Sequence, residues 1–147
     1  IVNLQGDLPI FAGELIEKTV GLFNDKNTEI SSGICELEKH EINDTNVVKA
    51  KVVLDKNNSG FAIDFSRKTN QLKNYYHHIG IYVYKPSILK KFVNLEQTQN
   101  EKNRKLEQMR AMDNGQSIFA SKAFGEIHLG VDTQSDLDKA IEIAKNM

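Results

Sequence analysis

The chain begins with a short apolar run that ends at a glycine and a carboxylate, and this stretch restricts the possible folds more than any other. Residues 1–4 include Ile, Val and Leu, Gln5 and Asp7 flank the glycine, and Pro9 follows closely. Such runs are typical of strands that end at a site, and in open α/β sheets ligands bind beyond the carboxyl ends of strands. The pattern predicts a buried strand, with Gln5 and Asp7 in a pocket and a helix starting at Pro9. An ordinary turn in which Asp7 caps the helix explains the same residues.

Length and composition describe one soluble globular domain without a nucleic-acid or membrane signature. The 147 residues suggest a single domain, 39% are hydrophobic, and 19 basic and 20 acidic residues are interspersed along the sequence. No apolar run approaches about 18 residues, which excludes a membrane-spanning helix. Cys35 is the only cysteine, so the chain has no disulfide framework and fits a reducing cytoplasm. Because the sequence opens without Met inside a predicted strand, we expect further residues upstream of Ile1.

Periodicity, caps and turn residues predict alternating helices and strands. Apolar spacing predicts helices near residues 10–24 and 100–113, and β-rich segments predict strands near 29–37 and 116–124. The segments 47–54 and 61–65, joined by a polar connection that contains a glycine, predict a β-hairpin. A last helix is expected from Thr133, whose spacing to Asp136 is that of a capping box. Its predicted buried stripe consists of Leu137, Ala140, Ile141 and Ala144.

The most aromatic predicted strand covers residues 75–84 and carries a candidate pocket face. Because side chains alternate across a strand, its two faces differ in chemistry. The mostly aliphatic face is expected to pack on the core, and the face with His and Tyr is expected to border a pocket. The aliphatic face holds His77, Ile79, Ile81 and Val83, and the other face holds His78, Gly80, Tyr82 and Tyr84. Adjacent His77 and His78 point to opposite faces, which argues against a two-histidine metal site.

Asp132 is the partner that the sequence offers Asp7 at a metal site. Each carboxylate follows a short apolar run and a glycine, and two hard oxygen ligands at neighbouring strand ends suit a Mg²⁺ ion that bridges substrate phosphates. Asp132 with Thr133 is also an ordinary helix start, and a cap explains it without a metal. The residues alone leave both interpretations open.

Three further groups have the chemistry to contact a ligand. His78 could donate to a carboxylate or hydroxyl, and Glu107 with Gln108 on a helix could bind sugar hydroxyls. Arg67, just after a strand, could clamp a carboxylate through two parallel hydrogen bonds. A core histidine, a solvated helix face and a surface arginine explain the same groups. The sequence has no Ser-His-Asp order, paired-cysteine motif or glycine-rich phosphate loop.

Seven short motifs occur in order along nearly the whole chain. They are Val2-Asn3-Leu4-Gln5-Gly6-Asp7 with Pro9, Asn46-Val47-Val48-Lys49, Phe65-Ser66-Arg67, His78-Ile79-Gly80-Ile81-Tyr82, Phe92-Val93-Asn94, Leu106-Glu107-Gln108-Met109-Arg110 and Gly130-Val131-Asp132-Thr133. Together they resemble the CMP-Kdo synthetase family, the 3-deoxy-manno-octulosonate cytidylyltransferases. One such motif would be weak evidence, but seven collinear motifs make the resemblance specific.

The resemblance implies an α/β nucleotidyltransferase fold in which a mixed, mostly parallel sheet carries helices on both faces and a β-hairpin excursion. It also implies transfer of CMP from CTP to the anomeric hydroxyl of Kdo for lipopolysaccharide synthesis, by a cytoplasmic homodimer that contacts no nucleic acid and enters no membrane. By the same resemblance, Asp7 and Asp132 are the catalytic Mg²⁺ ligands. The residues implied for the sugar-acid pocket are Gln5, Arg67, His78, Tyr82, Glu107 and Gln108.

The sequence departs from the family at two places. Nothing matches the family's initial strand and basic phosphate-holding loop, and the connection from Ser66 to Tyr76 lacks the Ile-Pro usual after Ser-Arg. We therefore expect residues 1–147 to be the C-terminal portion of one cytidylyltransferase domain, inactive without an upstream segment. The alternatives are an acid-sugar cytidylyltransferase of the sialic-acid type and a non-catalytic fragment that binds an acid sugar. The Leu-Glu-Gln and His-Ile-Gly-Ile-Tyr motifs argue against the sialic-acid type.

Overall fold

A computed structural model describes residues 1–9, 13–124, 130–131 and 133–146. The strands are β1 (Val2–Leu4), β2 (Ile30–Glu36), β3 (Lys49–Val52), β4 (Ser59–Ser66), β5 (Tyr75–Tyr84) and β6 (Ile118–Lys122). The α-helices are α1 (Gly13–Gly21), α2 (Pro86–Val93), α3 (Gln99–Arg104), α4 (Gln108–Asp113) and α5 (Gln134–Lys145). Short 3₁₀ turns cover Leu22–Asn24 and Lys39–Asn43.

The strands form one mixed sheet that closes on itself. Their order is β1-β5-β2-β6-β4-β3, and β3 also pairs with β5, which completes a barrel-like ring of five strands. Within the described chain only β2 and β6 are parallel neighbours, and the other pairings are antiparallel. The prediction of a mostly parallel sheet is therefore wrong, although the α/β class and the mixed sheet are confirmed. The short connection between β3 and β4 favours antiparallel pairing of these two strands, because a parallel crossover requires a dozen or more residues.

The predicted hairpin is confirmed as β3 and β4, with Ala50 opposite Phe65 in the antiparallel register. Its connection is held by the Asp55 carboxylate, which accepts hydrogen bonds from the amides of Asn57 at 2.8 Å and Ser59 at 3.0 Å. Asn58 adopts the left-handed conformation with φ of 57°, which asparagine tolerates better than most residues. Because the hairpin turn is stabilised by residues close together in the sequence, the sequence pattern was sufficient to predict the hairpin.

Two apolar clusters lie on opposite faces of β5, so helices cover both faces of the sheet. The smaller cluster joins Leu15 of α1 to Ile79 and Ile81. The larger cluster takes side chains from all five strands of the ring and is covered by α2 and α4. The strand side chains of this larger cluster are Ile30, Ile34, Ala50, Val52, Phe65, Tyr82, Tyr84, Ile118 and Ala120. The predicted separation of the two β5 faces is confirmed, but Tyr82 and Tyr84 form part of a core as well as bordering a cavity.

Strand β1 is an exposed edge in the described chain, which contradicts the prediction of a buried strand. It pairs with β5 alone, and Ile1, Val2 and Leu4 are 57%, 44% and 37% exposed. An apolar run indicates that a segment prefers burial, but the segment becomes buried only if neighbouring elements cover it. No described element covers the outer side of β1.

The charged segment predicted as one helix over 100–113 is divided into α3 and α4. Lys105 takes the left-handed conformation with φ of 55°, and the amide of Leu106 bonds to the Glu101 carbonyl at 3.3 Å. This turn buries Leu106, which a continuous helix would have placed elsewhere on its surface. The predicted end at Asn114-Gly115 is confirmed, since Gly115 has φ of 75° and its amide bonds to the Met112 carbonyl at 3.0 Å.

Helix α5 begins with the predicted capping box and buries less than expected. The Thr133 hydroxyl accepts from the Asp136 amide at 3.3 Å, and the Asp136 carboxylate accepts from the Thr133 amide at 3.0 Å. Ala140 is buried, but Leu137 and Ile141 are 41% and 45% exposed and Ala144 is also exposed. Three of the four residues predicted for the buried stripe thus remain open to solvent in this chain.

Candidate active site

Two cavities meet at Gln5, just beyond the end of β1. The larger, the Asp7 cleft, has a volume of about 840 Å³, and Gln5, Asp7 and His78 contribute to its lining. The smaller, the Tyr82 cavity, has a volume of about 360 Å³ and is lined by Gln5, Tyr82, Glu107 and Gln108 among other residues. Seven of the eight residues predicted for the site are described, and six of them line one or both of these cavities.

Local backbone bonds set the position of Asp7. The amide of Leu8 returns to the Gln5 carbonyl at 3.2 Å, and the Leu8 side chain is buried in the smaller core cluster. The Asp7 carbonyl accepts from the amide of Val131 at 2.7 Å, so the two loops run side by side. Val131 precedes Asp132 in the sequence, and Asp132 itself lies outside the described residues. The metal pairing of Asp7 with Asp132 stays a prediction.

Gly80 gives the Gln5 side chain its place between the two cavities. The Gln5 amide bonds to the Gly80 carbonyl at 3.4 Å. A Cβ at position 80 would overlap the Gln5 Oε1 atom and would lie 3.2 Å from its Cδ atom. The absence of a side chain at position 80 therefore lets the carboxamide of Gln5 lie against β5.

His78 is buried in the wall of the Asp7 cleft and is held by Ser32. Its Nε2 atom lies 2.8 Å from the Ser32 hydroxyl oxygen, and its ring packs edge-on against Phe65 with centroids 5.1 Å apart. Burial, with a smaller contribution from the charge of His77, lowers the pKa of His78 from 6.5 to about 3. The imidazole is therefore neutral at physiological pH.

The Tyr82 cavity combines aromatic walls with polar groups at one end. Burial raises the pKa of Tyr82 well above its usual value, with smaller contributions from Tyr84 and Glu107. Burial and then the charge of Glu107 raise the pKa of Tyr84 to about 12. Both phenols consequently remain neutral hydroxyl groups at neutral pH, suited to hydrogen bonding with a polar ligand.

The position of Glu107 and Gln108 depends on an ion pair between α3 and α4. Arg110 of α4 donates through Nε and a terminal nitrogen to the Glu101 carboxylate, at 2.8 and 2.6 Å. The guanidinium also stacks 4.9 Å from the centroid of Phe92 on α2. This two-pronged contact fixes the start of α4, where Gln108 is buried and Glu107 is exposed.

Arg67 lies outside both cavities and joins two loops instead. Its guanidinium donates to the carbonyls of Thr45 at 2.9 Å and Lys105 at 3.2 Å. The fully buried Lys49 donates to three carbonyls in the same region, those of Asp44, Val47 at 2.8 Å and Arg67 at 2.9 Å. Burial lowers the pKa of Lys49. The carboxylate clamp of Arg67 stays a prediction.

The lining of the Asp7 cleft is strongly acidic. Its carboxylates are Asp7, Glu36, Glu38, Glu41, Asp44 and Asp136, whereas Lys139 is its only lysine or arginine among the described residues. The Glu41 carboxylate lies 2.8 Å from Nδ1 of His77. Within the described ranges, no group of three or more His, Cys, Asp or Glu is arranged to hold a metal ion. No described helix is both long enough and apolar enough to cross a membrane.

Three residues with positioning roles have no signal in the sequence that reveals those roles. Ser32 contacts His78 across 46 positions, Lys49 reaches Arg67 across 18, and Arg110 reaches Glu101 across 9. None of these separations matches the short spacing of neighbours on a helix face. A buried lysine is rare unless its charge is satisfied, so the sequence gives no reason to expect Lys49 in the interior. These three contacts are therefore identified only in the folded chain.

Comparison with known proteins now places the chain in a family. The family model described as cytidylyltransferase matches residues 1–124. The chain belongs to the cytidylyltransferase family. This agrees with the resemblance to CMP-Kdo synthetases inferred from the seven motifs.

Two curated relatives share the name 3-deoxy-manno-octulosonate cytidylyltransferase. The protein from Paramagnetospirillum magneticum is 37% identical over 149 residues, which cover 99% of this chain and 60% of that relative. The protein from Brucella anthropi is 38% identical over 145 residues, covering 95% of this chain and 57% of the relative. This cytidylyltransferase chain therefore spans about 60% of the length of the curated relatives that it matches.

Solved structures give the same assignment of fold. A CMP:2-keto-3-deoxy-manno-octonic acid synthetase complexed with CTP superposes with a TM-score of 0.81 and 27% identity, over 99% of this chain and 62% of that chain. A putative glucose-1-phosphate thymidylyltransferase from Bacillus anthracis has a TM-score of 0.66 and 16% identity, over 99% of this chain and 55% of that chain, which shows a shared fold alone. The α/β nucleotidyltransferase fold implied by the motifs is confirmed.

Proposed function

We propose that the protein transfers CMP from CTP to the anomeric hydroxyl of Kdo, with release of pyrophosphate. The observation that carries the proposal is the shared lining of one cavity by Gln5, Tyr82, Glu107 and Gln108. These residues come from three separate parts of the sequence, and each matches a sugar-pocket position in the family motifs. A concave site of this size, with apolar walls and a few convergent polar groups, suits a small polar ligand.

The two cavities give the two substrates different surroundings. Kdo would occupy the Tyr82 cavity, where Glu107 accepts hydrogen bonds and the amide of Gln108 can donate or accept them. The Asp7 cleft would receive the reacting end of CTP together with the end of Kdo that extends past Gln5, which lies at the junction of the two cavities. His78, in the lining of the Asp7 cleft, would then be close to that end of the sugar. In the reaction, the Kdo hydroxyl oxygen forms a bond to the α-phosphorus, the bond from that phosphorus to pyrophosphate breaks, and the hydroxyl proton passes to solvent.

Catalysis on this scheme depends on positioning and on charge. The acidic lining of the Asp7 cleft repels a triphosphate unless positive charge is added. Mg²⁺ held by Asp7 and Asp132 would supply that charge. The bond between Val131 and Asp7 supports this pairing, because it ties the Asp7 loop to the residue before Asp132.

The proposed function is tested by pyrophosphate release with CTP, Kdo and MgCl₂, assayed for the protein with any residues that precede Ile1 and, for comparison, for residues 1–147 alone. Asp7→Asn and Asp132→Asn should each abolish metal-dependent turnover with little change in stability, because each substitution is nearly isosteric but removes an anionic ligand. Asp25→Asn is the matched control, since Asp25 lies in a turn and accepts from the amide of Asn27 at 2.9 Å. Unchanged Mg²⁺ dependence in Asp132→Asn would reduce that residue to a helix cap.

Competition between Kdo and a sialic acid in the same assay distinguishes the sugar. Preference for Kdo is expected, and preference for the sialic acid would overturn the proposed substrate. Binding of Kdo without turnover, by the protein with any residues that precede Ile1, would instead indicate an acid-sugar-binding protein.

The family resemblance also leads us to propose a cytoplasmic homodimer. Sedimentation equilibrium tests the oligomeric state, and cell fractionation tests the location. A monomer at assay concentration, or recovery in another compartment, would contradict the respective part of this proposal.

A further inference from the structure

The hydroxyl of Ser32 has more neighbours than it has protons. Ser32 is fully buried, and its Oγ atom lies 2.8 Å from Nε2 of His78 and 2.8 Å from the carbonyl oxygen of Ile81. The Ile79 carbonyl is farther away, at 3.5 Å. A serine hydroxyl has one proton to donate, and a carbonyl oxygen can only accept. The Ser32 proton must therefore go to a carbonyl, and Ser32 Oγ must accept a proton from Nε2 of His78.

An irregularity between β2 and β5 explains why the Ile81 carbonyl is available to Ser32. Ser32 is opposite Tyr82 in the register, but the next residue, Gly33, is opposite Ile79. Positions 80 and 81 therefore have no partner residue on β2. The buried Ile81 carbonyl requires a donor, and the Ser32 hydroxyl supplies it. Since the offset is two residues, His78 and Tyr82 remain on the same face of β5.

The second ring nitrogen of His78 has no hydrogen-bond partner in the described chain. Within the described chain, the hydrogen bond between Nε2 and the Ser32 hydroxyl is the one that the His78 ring nitrogens make. Among the described residues, the sole fully buried side-chain polar atom without a hydrogen bond is Oε1 of Gln116. Nδ1 of His78 is therefore reached by solvent, and the cavity that His78 lines is the Asp7 cleft.

We propose that Ser32 is a positioning residue that holds His78 as its Nε2–H tautomer, so that Nδ1 accepts a hydrogen bond from a hydroxyl of the sugar substrate. Neutral His78 then has no donor left for the sugar carboxylate, in contrast to the donor role that its sequence also allowed. The tautomer follows from contacts within the chain, whereas the identity of the hydroxyl donor rests on the proposed function. The low pKa of His78 agrees with a ring that stays neutral.

A spectrum of the ligand-free chain tests the tautomer without any substrate. In ¹⁵N–¹H correlation spectra of histidine-labelled protein, Nε2 of His78 should show a pyrrole-type shift and Nδ1 a pyridine-type shift. The signals are assigned by their loss in His78→Gln. They should stay constant from about pH 8 to 5, where an ordinary histidine gains charge. The reverse pattern, with the proton on Nδ1, would overturn the proposal.

Ser32→Ala supplies the matched perturbation. Without the serine oxygen, Nε2–H loses its acceptor, and the His78 shifts should move toward the averaged values of a tautomer mixture. Unchanged shifts in a folded Ser32→Ala protein would show that Ser32 does not fix the ring. If this variant fails to fold, the wild-type spectrum and the substitutions of His78 still decide the matter.

Two amide substitutions of His78 separate the roles of its nitrogens. Asn places an amide near the position of Nδ1 and can present an acceptor to the sugar, whereas Gln reaches the position of Nε2 and can keep the bond to Ser32. We expect the KM for Kdo to be about tenfold higher in His78→Gln than in His78→Asn, the effect of about one hydrogen bond. The KM for CTP should differ by less than about twofold between them. A lower KM for Kdo in His78→Gln would overturn the acceptor role.

The two kinds of measurement keep the failures distinct. If wild-type protein does not use Kdo, the proposed function and the sugar hydroxyl fail together, and the spectrum still decides whether Ser32 fixes the tautomer. If wild-type protein uses Kdo but the spectrum shows Nδ1–H, the inference fails and the proposed function stands.

Discussion

Replacing Gly80 by Ala should impair the proposed reaction while leaving the fold nearly as stable. A Cβ at position 80 would overlap Oε1 of Gln5. Because non-bonded heavy atoms settle at about 3.5 Å, the carboxamide must retreat by roughly 1 Å. The obstructing atom is the end of a flexible, exposed side chain, so this movement should cost less than about 1 kcal/mol of stability. A misplacement of about 1 Å near a reacting centre can lower the rate by up to about 100-fold.

The assay is pyrophosphate release with CTP, Kdo and MgCl₂, together with urea unfolding. Gly21→Ala is the matched control, because a Cβ at position 21 would meet no atom within 4 Å and Gly21 has a helical φ of −58°. Gln5→Ala supplies the background for a double-mutant cycle. If Gly80 acts through Gln5, then Gly80→Ala should cause little further loss in Gln5→Ala. Independent, multiplying losses in the double variant would refute this account, as would full activity of Gly80→Ala alone.

Three further predictions concern buried or bridging side chains. Burial keeps folded His78 neutral, so as the pH falls from about 6.5 toward 3 the unfolded chain binds a proton that the folded chain does not. The free energy of unfolding of the wild-type protein should therefore fall by up to about 5 kcal/mol relative to that of His78→Gln. Urea unfolding at several pH values measures this difference, and parallel pH curves for the two proteins would contradict the prediction. Lys49→Met should destabilise the chain by roughly 3 kcal/mol, because buried carbonyls lose their donor; urea midpoints test this, and a change below about 0.5 kcal/mol would contradict it. Arg67→Lys should raise the KM for Kdo more than the KM for CTP. One lysine amine cannot replace both guanidinium hydrogen bonds, and the carbonyl of Lys105, which accepts one of them, lies close to Glu107 in the proposed sugar site. Equal changes in the two KM values would indicate a general structural role.

The sequence alone located most of the secondary structure, because the signals involved are local. Strand β5 has the predicted bounds of 75–84, and the hairpin and the Thr133 capping box occur where the patterns placed them. Side-chain alternation, turn residues and caps act over a few positions. The seven collinear motifs predicted the family and the nucleotidyltransferase fold. They also supplied the candidate site residues, most of which border the two cavities.

The tertiary structure decided which strands are neighbours, which apolar residues are covered and how the site side chains are held. Strand direction depends on long-range pairing, and Leu137 remains exposed despite its helical spacing because no described element covers it. The Ser32–His78 contact joins residues 46 positions apart and depends on a two-residue offset between β2 and β5. The buried Ser32 hydroxyl has one proton, and the positions of the acceptors around it determine which of them receives that proton. These acceptors come together only when the strands pair, so the tautomer of His78 is also determined by the tertiary structure.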